Sequence, residues 1–150
     1  MAIRQILTIK DDEAALRQKS RTVDTFDQRL WQLLDDLTET MKHAHGAGLA
    51  APQVGILKKA CVISVKDGEV HELVNPVITK TIGGIVAAEG CLSIPNEQAD
   101  VERPAQLVVE AQDRYGKPFK LKAKDMLARA ICHEFDHLNG KLYVDRVQKK

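Results

Sequence analysis

Residues 133–137 read His-Glu-Phe-Asp-His. On a helix a four-residue step turns ~400°, so the two imidazoles lie ~40° apart on one face, one turn from each other. That spacing lets two ring nitrogens converge on one metal ion, with Glu134 beside them to handle a proton on bound water. The bland alternative is a chance pattern of satisfied core histidines. A catalytic centre of this kind needs a third protein ligand and an open position. Only 13 residues follow His137, and no glutamate is among them. The extended pattern HExxHxxGxxH is met as far as Gly140, but Tyr143 stands where its third histidine would fall; Asp145 is a weak candidate. The third ligand is therefore expected upstream, among Cys61, Cys91, His43, His45, His71 and several carboxylates. Cys61 lies in the apolar run 60–63, and Cys132 points ~100° away from His133 around the helix, so both read as structural thiols. Cys91 follows Gly90, and a glycine there permits close approach of the backbone to a site. Spacing favours Cys91 without settling the choice.

The element carrying the histidines is a helix expected over about 126–138, capped by Asp125 and stopped at Asn139-Gly140. Met126, Leu127, Ala128, Ala130, Ile131, Phe135 and Leu138 make it apolar around most of its circumference, as in a buried helix. Burying His133, Glu134, Asp136 and His137 without partners would cost several kcal/mol, and function is expected at that conflict. An amphipathic helix is expected over about 25–44, its stripe formed by Phe26, Leu30, Leu33, Leu34, Leu37 and Met41, with Asp24 or Thr25 capping it and Gly46 at its end. Residues 46–55 read as a glycine-rich loop. A hairpin is expected from 60–65 and 70–74 about Asp67-Gly68. Short strands follow at 77–82, 85–88 and 91–94, with Gly83-Gly84 as a turn, then a second hairpin from 106–114 and 118–123. Phe119, Leu121 and Ala123 alternate with lysines, giving that last strand one wet face.

Composition narrows the function classes. The chain has 150 residues, 44% hydrophobic and 29% charged, which suits one domain over 1–150 and argues against disorder. A net charge of +1 gives no evident basic face for nucleic acid, and 4% aromatics offer few base-stacking platforms. No stretch approaches the ~20 apolar residues of a membrane span, and the N-terminus lacks the apolar core of a signal peptide, which points to the cytoplasm. Three cysteines do not suggest a disulfide framework.

Three segments carry more than composition: Gly46-Ala47-Gly48-Leu49-Ala50-Ala51-Pro52-Gln53, Glu89-Gly90-Cys91-Leu92-Ser93 and His133-Glu134-Phe135-Asp136-His137. Together, and in this order, they resemble the three motifs of the peptide deformylases, over nearly the whole chain. The resemblance implies an α+β fold in which small, mostly antiparallel β-sheets surround a central C-terminal helix bearing the two histidines, in addition to the N-terminal amphipathic helix. It implies a metal held by Cys91, His133 and His137: Fe²⁺, with Zn²⁺, Ni²⁺ or Co²⁺ able to take its place. It implies hydrolytic removal of the formyl group from the N-terminal formyl-methionine of new polypeptides, in which metal-bound water attacks the formyl carbonyl with Glu134 as general acid and base. Gln53 and the Leu92 N–H would form an oxyanion hole, and Gly46, Ala47, Gly48, Met126 and Ala130 would bind substrate. The implied partners are formyl-methionyl nascent peptides. Transient ribosome contact gains no support from the short basic end Lys149-Lys150. Cys132 and Gln98 depart from residues common in the family, Gln and Arg respectively. Glu89 and Arg103 are expected to pair near the site, the bland alternative being an ordinary surface ion pair worth ~0–1 kcal/mol. The competing readings are a peptidase of another metallohydrolase type, against which the missing downstream ligand argues, and a non-enzyme with a closed structural metal site, which would need none of Glu134, Gln53 and the glycine-rich loop.

Overall fold

The computed structural model describes residues 2–66 and 68–147. Helix α1 (Ile9–Leu16) is followed by α2 (Gln28–His43), β1 (Gly48–Ala50), a 3₁₀ turn (Ala51–Val54), β2 (Ala60–Ile63), β3 (His71–Ile82), β4 (Ile85–Cys91), β5 (Ile94–Arg103), β6 (Gln106–Gln112), β7 (Pro118–Lys124), α3 (Asp125–Leu138) and a second 3₁₀ turn (Tyr143–Arg146). Five strands form a sheet in the order β1-β2-β3-β6-β7, and β4 and β5 form a separate ribbon; all these pairings are antiparallel. This is the expected α+β arrangement, with α3 packed against β1, β2 and β7 and touching β5 and β6.

Period-2 alternation explains why β2 is buried on both sides. Ala60 and Val62 face the stripe of α2, where Leu30, Leu33, Leu34, Leu37 and Met41 are buried. Cys61 and Ile63 face α3, among Ala128, Ile131, Cys132 and Leu138. Each fully buried aliphatic side chain contributes about 1.5–3 kcal/mol relative to exposure. The sheet is thus clamped between the two helices, and α3 is held against its inner face.

Several boundaries differ from expectation. Helix α2 is capped by Asp27, whose carboxylate accepts from the Leu30 N–H, and not by Asp24 or Thr25. After the helix, His45 is the left-handed residue (φ 57°), ahead of Gly46. Helix α1 was not expected: it is short, non-helical at Asp12, and capped by Thr8. Strand β3 runs unbroken where two strands were expected, because Asn75 takes φ 52° and the ladder bulges there. The Asn75 side chain ties this bulge to the Val23 N–H and C=O at 2.8 Å each. Segment 91–94 is not a strand: Cys91 pairs with Ile94 across the tight end of the β4–β5 ribbon, so the Cys91 loop is a hairpin tip. Asp125 does not cap α3 with its side chain; it adopts φ 56° while its N–H donates to Ala105 O. The expected turn residue Asp67 and the end Lys149-Lys150 lie outside the described residues.

Candidate metal centre and substrate cleft

Three elements converge on one point. Helix α3 presents His133 and His137 from successive turns, and the tip of the β4–β5 ribbon presents Cys91. The Cys91 Sγ and His137 Nε2 are 3.2 Å apart, as are the two Nε2 atoms, and all three donor atoms lie within 4.8 Å of one another. Bond lengths of roughly 2.0–2.3 Å and tetrahedral angles give donor separations of about 3.3–3.6 Å, so the set is spaced to hold one ion. A thiolate with two imidazoles suits Fe²⁺, Zn²⁺ or Co²⁺ and not Mg²⁺ or Ca²⁺. The cluster contains none of the other upstream candidates: Cys61 packs in the sheet core, and His43, His45 and His71 lie apart from it.

The electrostatics agree. Burial alone would lower the His133 pKa, but Glu134, Cys91 and Glu89 outweigh it and raise it. A cation in the triad answers the same anions that favour a proton on His133. Burial, reinforced by His133, holds His137 neutral, with a lone pair free to ligate. The Glu89 Oε2 lies 2.7 Å from His133 Nδ1, fixing the tautomer that leaves Nε2 for a metal.

Glu89 and Arg103 pair beside the site, and the pair is not at the surface. Both are buried, and Arg103 grips Glu89 with Nε (3.1 Å) and Nη2 (2.7 Å). Arg129 adds a bond from Nη1 to Glu89 Oε1 at 2.9 Å. Burial pushes the Glu89 carboxyl up, but hydrogen bonds from His133 and Arg103 prevail and hold it at about 2. Asp136 takes the third arm of Arg103 at 2.8 Å, with Arg146 on its other side. This network was largely missed from sequence. Its one sequence signal is that Arg129 and Asp136 stand four residues before and three after His133 on a helix otherwise apolar.

Glu134 is buried, and its Oε1 has no hydrogen-bond partner among the described residues. Burial pushes its carboxyl up to about 7. Gly48 makes room for it: a Cβ there would stand 2.5 Å from Glu134 Oε2. Gly46 likewise leaves space for Leu92, whose Cδ1 would be 2.7 Å from a Cβ at 46. Gln53 is locked at both ends. Its Oε1 accepts from the Ala50 N–H (3.0 Å), while Nε2 donates to Ser93 Oγ (3.1 Å) and lies 3.7 Å from Cys91 Sγ.

A cleft of about 860 Å³ opens over these groups. Gly46, Ala47, Gly48, Gln53, Cys91, Leu92, Met126, Ala130, His133 and Glu134 all line it; His137 is buried behind. Burial pushes the Cys132 thiol up to about 11 and raises Cys61 as well, as expected of structural thiols.

A Cys/His/His donor set beneath a peptide-sized cleft, with a buried carboxylate at its side, defines a mononuclear metal-dependent hydrolase. The polypeptide deformylase family model matches residues 3–150. The chain is 56% identical over 147 residues to a peptide deformylase of Caldicellulosiruptor bescii, covering 98% of this chain and 87% of that one. It is 44% identical to peptide deformylase 1 of Bacillus subtilis, covering 99% and 92%. Among solved structures, the peptide deformylase of Thermotoga maritima matches with a TM-score of 0.94 at 35% identity, covering 99% of this chain and all of that one. That of Synechococcus elongatus, in complex with actinonin, matches with a TM-score of 0.93 at 42% identity, covering 98% and 82%. The chain belongs to the polypeptide deformylase family. It is a metal-dependent hydrolase that removes the N-formyl group from nascent peptides. No helix among the described residues is long and apolar enough to cross a membrane.

Proposed function

We propose that residues 1–150 act as one catalytic domain in the cytoplasm, with Cys91, His133 and His137 holding Fe²⁺ and with Zn²⁺, Ni²⁺ or Co²⁺ as substitutes. The carrying observation is the buried Glu134 carboxylate, with Oε1 unpartnered among the described residues, next in sequence to a residue of that triad. When bound, the metal supplies a Lewis acid that polarises the formyl oxygen and acidifies water. Glu134 accepts the proton of the attacking water and delivers it to the departing amine nitrogen as the C–N bond breaks, leaving formate and a free N-terminus. Burial, which raises the Glu134 carboxyl, favours its holding that proton between the two halves of the transfer.

Gln53 and the Leu92 N–H donate to the oxygen on which negative charge develops. Ala50 and Ser93 fix the Gln53 amide beside Cys91, and the Nε2–H now directed at Cys91 Sγ is the one that would turn to that oxygen; one such donor is worth ~3 kcal/mol. Gly46, Ala47 and Gly48 offer the edge along which an extended peptide adds as a strand, through backbone contacts indifferent to its sequence. Met126 and Ala130 provide the apolar wall for the methionine side chain.

The test of the ligand set is metal stoichiometry in Cys61→Ala, Cys91→Ala and Cys132→Ala. Only Cys91→Ala should empty the site. Retention in Cys91→Ala with loss in Cys61→Ala would overturn the assignment.

A further inference from the structure

Tyr143, at the place where an extended zincin would carry its third histidine, does not stand idle. It is 2% exposed, and its ring stacks on His133 with centroids 6.2 Å apart and planes at 27°. Three residues on, in the same 3₁₀ turn, Arg146 straddles Asp136: Nε to Oδ2 at 2.6 Å and Nη2 to Oδ1 at 3.0 Å. Asp136 Oδ2 also accepts from Arg103, Arg103 grips Glu89, and Glu89 holds His133 Nδ1. The C-terminal turn therefore reaches the same imidazole twice, once by its ring and once through an unbroken chain of charged hydrogen bonds.

Stability alone does not account for such a chain. Buried ion networks are often neutral or unfavourable against apolar packing of the same volume. Here the chain converges on one atom, the ring nitrogen that fixes how His133 faces its ligand position. It also joins the ribbon carrying Cys91 to the helix carrying both histidines, because Glu89 and Arg103 lie on β4 and β5 while Asp136 lies on α3.

We propose that the turn Tyr143–Arg146 is a positioning element for the metal centre, with Tyr143 and Arg146 as positioning residues that hold His133 in its ligating orientation. This rests on the metal-ligand reading above. Outer partners of metal-ligating histidines typically change affinity by 10–100-fold. Arg146 acts through intermediates and its side chain is 41% exposed, which places it at the lower end.

The probe is Co²⁺ bound to the full chain. Three readouts are taken: the Co²⁺ absorption spectrum, the rate of Co²⁺ release to a chelator, and the Tm of the metal-free protein. Arg146→Gln and Tyr143→Leu should each release Co²⁺ about 10-fold faster and alter the ligand-field bands. Arg146→Lys should recover part of the effect, and Tyr143→Phe, which keeps the ring, most of it. Asp36→Asn, which loosens the N-terminal segment away from the centre, is the stability control: it should lower Tm without changing spectrum or release. The proposal is overturned if Arg146→Gln and Tyr143→Leu behave like Asp36→Asn, with release within 2-fold of wild type. If Tyr143→Leu does not fold, Arg146→Gln decides. A wild-type chain that binds no Co²⁺ would instead overturn the metal-ligand reading beneath it.

Discussion

Replacing Gly48 by alanine should disable Glu134 without touching a metal ligand. The added methyl would stand 2.5 Å from Glu134 Oε2, 3.0 Å from Cδ and 3.2 Å from Cγ, where ordinary contact begins at 3.4 Å. The carboxylate must therefore yield by about 0.9 Å, and a misplacement near 1 Å can cost about 10²-fold in rate. The strand backbone holds its place, so the Glu134 side chain is the side that moves. Gly48 is tied into the β1–β2 ladder opposite Ile63, and Glu134 is buried on α3. Overpacking of this kind also costs about 1–3 kcal/mol of stability. The assay is formate release from a formyl-methionyl peptide, with metal stoichiometry and Tm taken on the same preparation. Gly48→Ala should keep its metal, lose a few degrees of Tm and fall about 10²-fold in kcat/KM. Activity within about 3-fold of wild type would refute the idea that the Glu134 position is set by the missing side chain at 48.

Gly140→Ala should lower stability by about 2–4 kcal/mol in urea unfolding, because φ is +74° and a Cβ would stand 2.3 Å from the Arg17 carbonyl oxygen; a loss under about 1 kcal/mol would contradict this. Burial pushes the Asp36 carboxyl up, but bonds from the Ala2 N–H, the Gln32 amide and Arg4 outweigh it and hold it below the usual range. Its folded pKa is depressed, so its stabilisation is present above the unfolded value of about 3.9 and fades as pH falls through the folded one. The Tm gap between wild type and Asp36→Asn should thus narrow from pH 6 to pH 3, and a constant gap would count against it. Formyl-methionyl peptides should greatly exceed acetyl-methionyl peptides in kcat/KM, since an aldehydic hydrogen leaves the carbonyl more electrophilic and demands less space; comparable values would contradict the assigned chemistry.

The candidate ligands His133 and His137 were legible as a four-residue helical step, whereas for Cys91 the preceding glycine only favoured it and the motif resemblance carried the choice. The apolar stripe of α2 and the buried character of α3 were also legible, but not that the two helices clamp one sheet between them. Of the Arg103–Glu89–Asp136 network only the Glu89–Arg103 pairing was anticipated, because its members come from three separate elements and no periodicity links them. The long β3 strand was hidden by Asn75-Pro76, which reads as a break until the Asn75 side chain is seen to satisfy Val23 across the bulge. Helix α1 has too weak a pattern and too irregular a backbone at Asp12 to be read from sequence. Gly48 was expected to serve the substrate backbone; its space for Glu134 depends on a helix 86 residues away in sequence.

The most direct measurement compares wild type with Glu134→Gln for metal content and formate release on the same preparations. The amide keeps the shape of the carboxylate but cannot accept the proton. Glu134→Gln should bind metal in the wild-type ratio through Cys91, His133 and His137, and should lose the ~10²–10⁴-fold typical of acid–base catalysis. Near-normal turnover would show that another group moves the proton, and loss of the metal would show that Glu134 belongs to the ligand set.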